Sequence, residues 1–310
     1  MKVFTSLLTF LSILIYNTGC QQSAASNTET EVVVESSVTE SDFNAYWYQG
    51  KAEIAAYNLK QSRYGQIHEG KAVLIFVTED FSKSKQVKLD YPQRTPDDKV
   101  SAMKLNFTKK FNTGIYPYSM MLSTFTPVDS YHHPDPLKLT MSSQEWCGHV
   151  FAQMNLGNDQ YDLSSYSYFE QEGDVALKVK EAFLEDEIWT RIRLDYKTLP
   201  TGKVKMLPGL FYSRLLHKEF KPVDTKAALT EDGDQFKYSV DFVGKERVLN
   251  IWFDKAFPHK IRQWEETAKS PWGKTLTTTA VLDETLYTDY WSKNGNEHKS
   301  LRDSLNLPNF

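Results

Sequence analysis

The sequence is poor in cysteine. Its 310 residues include only Cys20 and Cys147, which excludes a small domain held together by several disulfide bonds. Because Cys20 is predicted below to carry lipid, Cys147 has no partner for an intramolecular disulfide. The fold must therefore be stabilised by packing, for which the chain has 7 Trp, 17 Tyr and 18 Phe.

The chain also lacks the common motifs of catalysis and cofactor binding. It contains no glycine-rich phosphate loop, no G-x-S-x-G nucleophile elbow and no paired metal motif such as C-x-x-C or H-E-x-x-H. Its 36 basic and 40 acidic side chains give a net charge of -4, and no long basic run occurs. Nucleic-acid binding needs a basic surface. We therefore predict no cofactor and no nucleic-acid partner.

A long hydrophobic run is absent as well, and the short one at the N-terminus resembles a lipoprotein signal. About a dozen mostly apolar residues follow Lys2, fewer than the roughly 20 that a membrane-spanning helix needs. Gly19 stands directly before Cys20, so we predict a signal peptide over residues 1–19 and lipidation of Cys20. Asn17 replaces the apolar residue usual at its position. A plain secretory signal or a short membrane anchor is the alternative.

Residues 20–42 are predicted to form a flexible, lipidated tether. Ser, Thr, Asn, Ala and Glu dominate this segment, and no aromatic residue occurs before Phe43. Gln21 and Gln22 follow Cys20, so no Asp stands directly after the cysteine. By resemblance to lipoprotein sorting in Gram-negative bacteria, this implies the outer membrane, in either leaflet. The lipid anchor is thus the predicted membrane contact.

After residue 43, apolar and polar residues alternate in many segments, which is typical of β-strands with one buried face. The alternation over 236–242 and 249–253, with the turn Asp232-Gly233 before it, predicts an antiparallel meander over 225–253. Further strands are predicted at 73–77, 103–107, 137–141, 188–196 and 276–282.

Two segments favour a helix. Asp174 is a suitable N-cap for a helix over 174–186, whereas 43–57 fits a short helix or a strand. The predicted fold class is β-dominated α+β: a curved antiparallel sheet, half-barrel or sandwich-like, with one or two short helices. Residues 43–310 are predicted to form one β-rich globular domain. Two packed halves that divide between Gly157 and Pro208 are the alternative.

Cys147 and His149 are the candidates for catalysis, because a thiol near an imidazole can act as a nucleophile. The structural interpretation is that Cys147 packs as a core thiol beside Trp146, since free cysteine is among the most buried residue types.

His132 and His133 are candidate zinc ligands. They lie in a proline-containing turn without paired ligand spacing, so no metal site is predicted there.

Three stretches, 72–79, 109–119 and 142–149, resemble those of exported Bacteroidota lipoproteins of unknown function that are often labelled "septum formation inhibitor Maf". True Maf proteins are cytoplasmic nucleoside-triphosphate pyrophosphatases with an N-terminal Ser-x-Ser-Pro-Arg-Arg signature, which this chain lacks. A weaker resemblance, over 249–254 and 257–261, is to lipoprotein-carrier-like half-barrels, where a curved antiparallel sheet wraps a helix or an apolar ligand.

The leading hypothesis is an outer-membrane lipoprotein of unknown function that is not an enzyme and binds an apolar ligand or an envelope protein through a curved sheet. It depends on the predicted tether, the strand pattern and the missing catalytic motifs. One alternative is an envelope hydrolase that uses Cys147 or His149. A Maf-like nucleoside-triphosphate pyrophosphatase is the other.

The lipidation of Cys20 can be tested by growing cells with radioactive palmitate. We expect the wild-type protein to be labelled and the Cys20→Ala variant to be unlabelled, because the variant has no thiol at the cleavage site. Cys147→Ala is the matched control and should keep the label. Labelling of the Cys20→Ala variant would contradict the anchor.

Overall fold

The computed structural model describes residues 1, 39–158, 160–180 and 182–308. Val38–Phe310 forms a compact unit. The predicted signal peptide, Cys20 and the tether up to residue 38 lie outside the described residues, except for Met1. The first helix begins at Glu40, inside the segment predicted as tether.

The described residues of this unit form 16 β-strands and four short α-helices. The strands of the first half are β1 (Ala52–Arg63), β2 (Gln66–Ser82), β3 (Val87–Lys88), β4 (Lys99–Thr113), β5 (Tyr116–Pro127), β6 (Lys138–Glu145), β7 (Gly148–Leu156) and β8 (Gln160–Ser167). Those of the second half are β9 (Val175–Lys180), β10 (Phe183–Leu184), β11 (Gly202–Leu207), β12 (Val223–Asp232), β13 (Gln235–Phe242), β14 (Arg247–Asp254), β15 (Ile261–Lys269) and β16 (Thr275–Thr288). The helices are α1 (Glu40–Trp47), α2 (Ile188–Asp195), α3 (Leu210–Leu216) and α4 (Ser300–Asp303).

All strands belong to one curved sheet that does not close. Its order is β10-β11-β12-β13-β14-β15-β16-β1-β2-β4-β5-β6-β7-β8-β9, with β3 beside β2. Neighbouring strands are antiparallel, except for the short parallel pair of β10 with β11. β1 lies in the middle of this order, because it pairs with β2 on one side and with β16 on the other. The predicted curved, β-dominated fold is confirmed.

The core lies between the inner face of the sheet and the helices α2 and α3. The Phe107 ring on β4 packs 5.2 Å from Trp189 of α2 and 5.3 Å from Phe211 of α3. Trp264 on β15 lies 5.2 Å from Trp189 and is almost fully buried. Aromatic side chains from distant strands thus enclose the two helices, and such rings contribute much of the buried apolar area.

Most predicted strands are confirmed. Residues 73–77 and 103–107 lie within β2 and β4, the meander over 225–253 corresponds to β12, β13 and β14, and 276–282 lies within β16. β6 begins at Lys138, one residue after the predicted start. The ambiguous segment 43–57 contains the end of α1 and the start of β1, so both interpretations apply to parts of it.

The strand predicted over 188–196 is wrong, because Ile188–Asp195 is the helix α2. A strand over these residues would place Arg193 on its polar, outward face, yet the Arg193 side chain is fully buried. A helix inside a sheet is buried on several sides, so its polar residues need not follow the helical period. Here two arginines occupy buried positions through ion pairs, and the alternation with apolar residues imitates a strand.

The helix predicted over 174–186 is also wrong, because β9 and β10 occupy most of this segment and only its last two residues enter a short 3-10 helix, Glu185–Glu187. The Asp174 carboxylate accepts a hydrogen bond from the Ser167 N–H at 3.2 Å, in the turn before β9, and does not cap a helix. Along β9 only Val179 is fully buried. A strand at the end of a sheet is exposed on most sides, so its side chains show no clear period of two.

A buried ion pair joins α2 to β1. Arg193 Nη1 and Nη2 donate to the two Glu53 oxygens at 2.6 and 2.7 Å, and Nε donates to the Pro258 carbonyl at 2.8 Å. Both side chains are 0% exposed. Burial acts to raise the pKa of Glu53, but the charge and hydrogen bonds of Arg193 outweigh it and the pKa is lowered.

We expect Arg193→Met to lower the free energy of unfolding by about 3–5 kcal/mol, because it leaves the Glu53 charge buried without its partner. Urea unfolding at pH 7 measures this. The matched control is Arg262→Met, which removes an arginine paired with Asp254 at 2.7 Å while 44% exposed. Arg262→Met should lower the free energy of unfolding by no more than about 1 kcal/mol. Equal losses in the two variants would contradict the assigned importance of the buried pair.

Asp186 is a second buried carboxylate. It precedes α2 in the chain, and its side chain contacts the start of α3. It accepts the Leu210 N–H at 2.8 Å, while neighbouring Glu185 accepts the Gly209 N–H at 2.7 Å and pairs with Arg247. Burial, followed by repulsion from Glu185, raises the pKa of Asp186 to about 7. The folded protein therefore holds a proton that the unfolded chain, with an ordinary Asp pKa of about 3.9, releases.

This raised pKa makes stability depend on pH. Since the folded state binds the extra proton, the contribution of Asp186 falls as pH rises from about 4 to about 7, by at most about 1.4 kcal/mol per pH unit. Asp186→Asn removes this contribution and keeps an oxygen for the Leu210 N–H. In urea unfolding, we expect the variant to gain stability relative to wild type between pH 4 and pH 8. If the difference in unfolding free energy between the variant and wild type were the same at pH 4 and pH 8, the raised pKa of Asp186 would be contradicted.

Candidate functional site

The two ends of the sheet are formed by β9 and β10, which are neighbours in the sequence. β9 pairs with β8, and β10 pairs with β11 through Phe183 with Met206 and Leu184 with Leu207. Among the described residues, β9 has no second strand partner, and residues 202–205 of β11 pair only with β12. We call the gap between β9 and residues 202–205 the seam.

The inner face of the sheet is uncovered at the seam. Val175, Leu177 and Val179 alternate along β9 and therefore share a face. Val179 is 3% exposed within the core, and Val175 packs against it. Leu177 on the same face is 41% exposed, although its cross-strand partner Leu163 is 1% exposed. An inward-facing leucine thus lies open to solvent where the sheet fails to close.

The seam contains a groove of about 720 Å³. Its walls come from β9, from Lys205 of β11 and from the loop 217–222 that connects α3 to β12. Phe220 in this loop is half-buried and packs against the core, so it fills part of the opening. Leu177, Val175 and Pro222 supply further apolar lining.

Loop 217–222 is attached to the turn between β8 and β9. α3 ends where His217 adopts the left-handed conformation, with φ of 52°, and its ring Nδ1 lies 2.5 Å from the Glu172 carboxylate. The His217 ring also packs edge-on against Phe169 at 5.2 Å. These contacts fix one wall of the groove relative to the start of β9.

Lysines surround the groove. Lys178 and Lys205 form exposed ion pairs with Asp162 at 3.0 Å and Asp224 at 3.2 Å, which contribute little to stability. Three more lysines line the groove without an ion-pair partner in the part of the chain that the structure describes: Lys180, Lys218 and Lys221. The lining carboxylates are Glu172 and Glu219. The groove is therefore basic, although the whole chain has a net charge of -4.

A second groove of about 820 Å³ lies beside β2, β4 and β5. Its lining includes Asn306, Leu307 and Pro308, which immediately precede the last two residues, and those lie outside the described residues. The seam combines a strand edge that has no second partner among the described residues with an exposed inward leucine, so we regard it as the candidate site.

The predicted core position of Cys147 is wrong. Cys147 is exposed in the two-residue turn between β6 and β7, and neighbouring Trp146 is 64% exposed. A turn at the end of a hairpin projects from the sheet, so its side chains have no layer to pack against. The Cys147 N–H donates to the Tyr116 hydroxyl at 3.0 Å.

The other predicted site residues also lie on the surface. His149 is exposed on β7 opposite Gln144, and within the described ranges no hydrogen bond joins it to Cys147. His132 is exposed and its Nδ1 lies 2.6 Å from Asp129, while His133 is half-buried in the same turn. Among the residues described, no group of three or more His, Cys, Asp and Glu side chains is placed to hold a metal ion.

The site at the seam was missed by the sequence analysis. Its residues come from three separate segments, and one of them was predicted as a helix. The available signal was the pair of lysines two residues apart in both β9 and β11, Lys178 with Lys180 and Lys203 with Lys205. Such lysines are typical of strands at the edge of a sheet.

No family model matches the chain, and no curated protein matches it. Among solved structures, it is similar to a beta-barrel-like protein of domain of unknown function DUF1849 from Brucella abortus, with 9% identity and a TM-score of 0.47. The match covers 77% of this chain and 98% of that chain. In the described part of the chain, no helix combines the length and the apolar character needed to cross a membrane.

Proposed function

We propose that this protein is an outer-membrane lipoprotein that is not an enzyme and that binds an envelope protein at the seam. The observation that carries the proposal is Leu177, a leucine on the core-facing side of β9 that remains 41% exposed because the sheet does not close. An exposed apolar site beside an unpaired strand edge is a frequent place for a partner to bind.

A protein partner suits this site better than an acyl chain. At the free edge of β9, backbone N–H and C=O groups face away from β8 and need hydrogen-bond partners. A hydrocarbon chain over these groups removes water and offers no hydrogen bond, at a cost of about 1–3 kcal/mol for each group left unpaired. An extended polypeptide restores these hydrogen bonds and can still cover Leu177.

The envelope location rests on the N-terminal sequence. The short apolar run, Gly19 and Cys20 support lipidation, and Gln21 and Gln22 support the outer membrane. A tethered binding protein needs a surface site for its partner, which agrees with a groove that opens to solvent.

The two enzyme hypotheses receive less support. Cys147 and His149 are both exposed near a hairpin turn, with no described hydrogen bond between them to activate the thiol. The Maf-like alternative lacks the basic N-terminal signature on which that chemistry depends.

A photo-crosslinking amino acid at position 177 tests the proposed binding site in living cells. We expect a discrete cross-linked protein, because the side chain lies in the groove. Val281, an apolar residue on β16 that is 49% exposed, is the matched control and should give no such product. The same products at both positions, or lipid adducts alone at position 177, would overturn the proposal.

A further inference from the structure

We infer that the partner's binding segment is a β-strand of alternating acidic and apolar residues, which pairs with the free edge of β9. This inference rests on the proposed function and specifies the chemistry of the partner. It follows from the backbone of β9, from the two faces of that strand and from the distribution of lysines.

The backbone of β9 offers a template about six residues long. Val175–Lys180 is paired with β8 along its whole length, with Gln160 opposite Lys180 and Ser165 opposite Val175. In an antiparallel pair the residues alternate between pointing their N–H and C=O groups toward the partner and away from it. About half of the residues of β9 therefore present hydrogen-bonding groups to the seam, where an added strand can bind.

The inner face of an added strand must be apolar. Side chains on one face of a sheet contact their neighbours on the next strand. The inward residues of the new strand would lie beside Val175, Leu177 and Val179, and near Phe220 in the loop 217–222. Apolar residues at these positions would cover Leu177 on its seam side, where the described chain supplies no neighbouring strand.

The outer face of an added strand must be acidic. Lys178 and Lys180 occupy the outward positions of β9, and Lys205 lies on the opposite wall of the groove. Lys218 and Lys221 extend this charge along the loop. Lys178 and Lys205 already form exposed ion pairs, so the uncompensated positive charge lies on the other three lysines of the groove. Carboxylates at alternate positions of the partner would approach these ammonium groups, whereas basic residues there would be repelled.

Lysines on an edge strand can also serve only to prevent unwanted pairing between sheets. Prevention of pairing does not explain why the inward Leu177 is exposed in the groove, because an exposed apolar side chain favours association. The two roles differ in one measurable respect. A purely protective edge binds no strand, while the inferred edge discriminates between strands by their charge.

Two synthetic peptides provide the first test: one of seven residues alternating Glu and Val, and one alternating Lys and Val. Each is titrated into the full chain carrying Cys20→Ser, and binding is measured by calorimetry. We expect the Glu-Val peptide to bind at least tenfold more tightly than the Lys-Val peptide. Similar affinities for the two peptides, or no binding of either, would overturn the inference.

Hydrogen exchange identifies the mode of binding. With the Glu-Val peptide bound, we expect slower exchange at alternate amides of residues 175–180, because only those that face the seam gain a partner. A Glu-Val peptide with N-methyl groups on one edge should lose both binding and protection. Binding without protection of β9 would also overturn the inference.

A charge-reversed protein supplies the matched variant. The double variant Lys178→Glu with Lys180→Glu should bind the Glu-Val peptide at least tenfold more weakly than the wild type does. It should bind the Lys-Val peptide more tightly. The control, Lys83→Glu with Lys85→Glu, carries the same charge change in the turn between β2 and β3 and should leave both affinities unchanged. Equal effects of the two double variants would assign the preference to net charge and overturn the inference.

These results are separable from the crosslinking test at position 177. If a cellular protein is cross-linked there but neither peptide binds, the proposed function stands and the inferred chemistry of the partner fails. If the Glu-Val peptide binds and protects β9 but no protein is cross-linked in cells, the edge has the inferred selectivity and the proposed cellular role fails.

Discussion

The ion pair between Arg193 and Glu53 is the contact on which the interior of this fold depends. It joins residues 140 positions apart and places a helix inside a curved sheet. Two charges without access to water are tolerated only when they satisfy each other. Arg193 meets this condition, because its remaining Nε donates to the Pro258 carbonyl. The helix α2 therefore has one position in which its arginine is fully paired.

The filled interior explains why the candidate site lies at the end of the sheet. The space inside the curved sheet, where a ligand could otherwise bind, is filled by four aromatic side chains: Phe107, Trp189, Phe211 and Trp264. The sheet then leaves its backbone accessible only at its edges. One edge, β9, combines unpaired backbone groups with an apolar side chain and positive charge. The recognition by strand pairing that we propose would use these three features together.

The sequence predicted the fold class because apolar residues alternate along the strands that have one buried face, such as those of the meander. It failed for 188–196, where buried arginines gave a helix the period of a strand, and for 174–186, where an edge strand has little buried surface. Cys147 was misplaced because its residue type favours burial, whereas the hairpin turn exposes it. The seam depends on pairing between distant segments, which local patterns do not contain.

The central place of β1 in the sheet sets an order for folding. β1 pairs with β2, which follows it directly, and with β16, whose Thr288 lies opposite Ala52. While the chain is being synthesised, β1 keeps one open edge until β16 is made. Contacts between such distant residues slow folding and leave strand edges available for aggregation. The newly made chain is therefore most open to aggregation at the edge of β1 until β16 is in place.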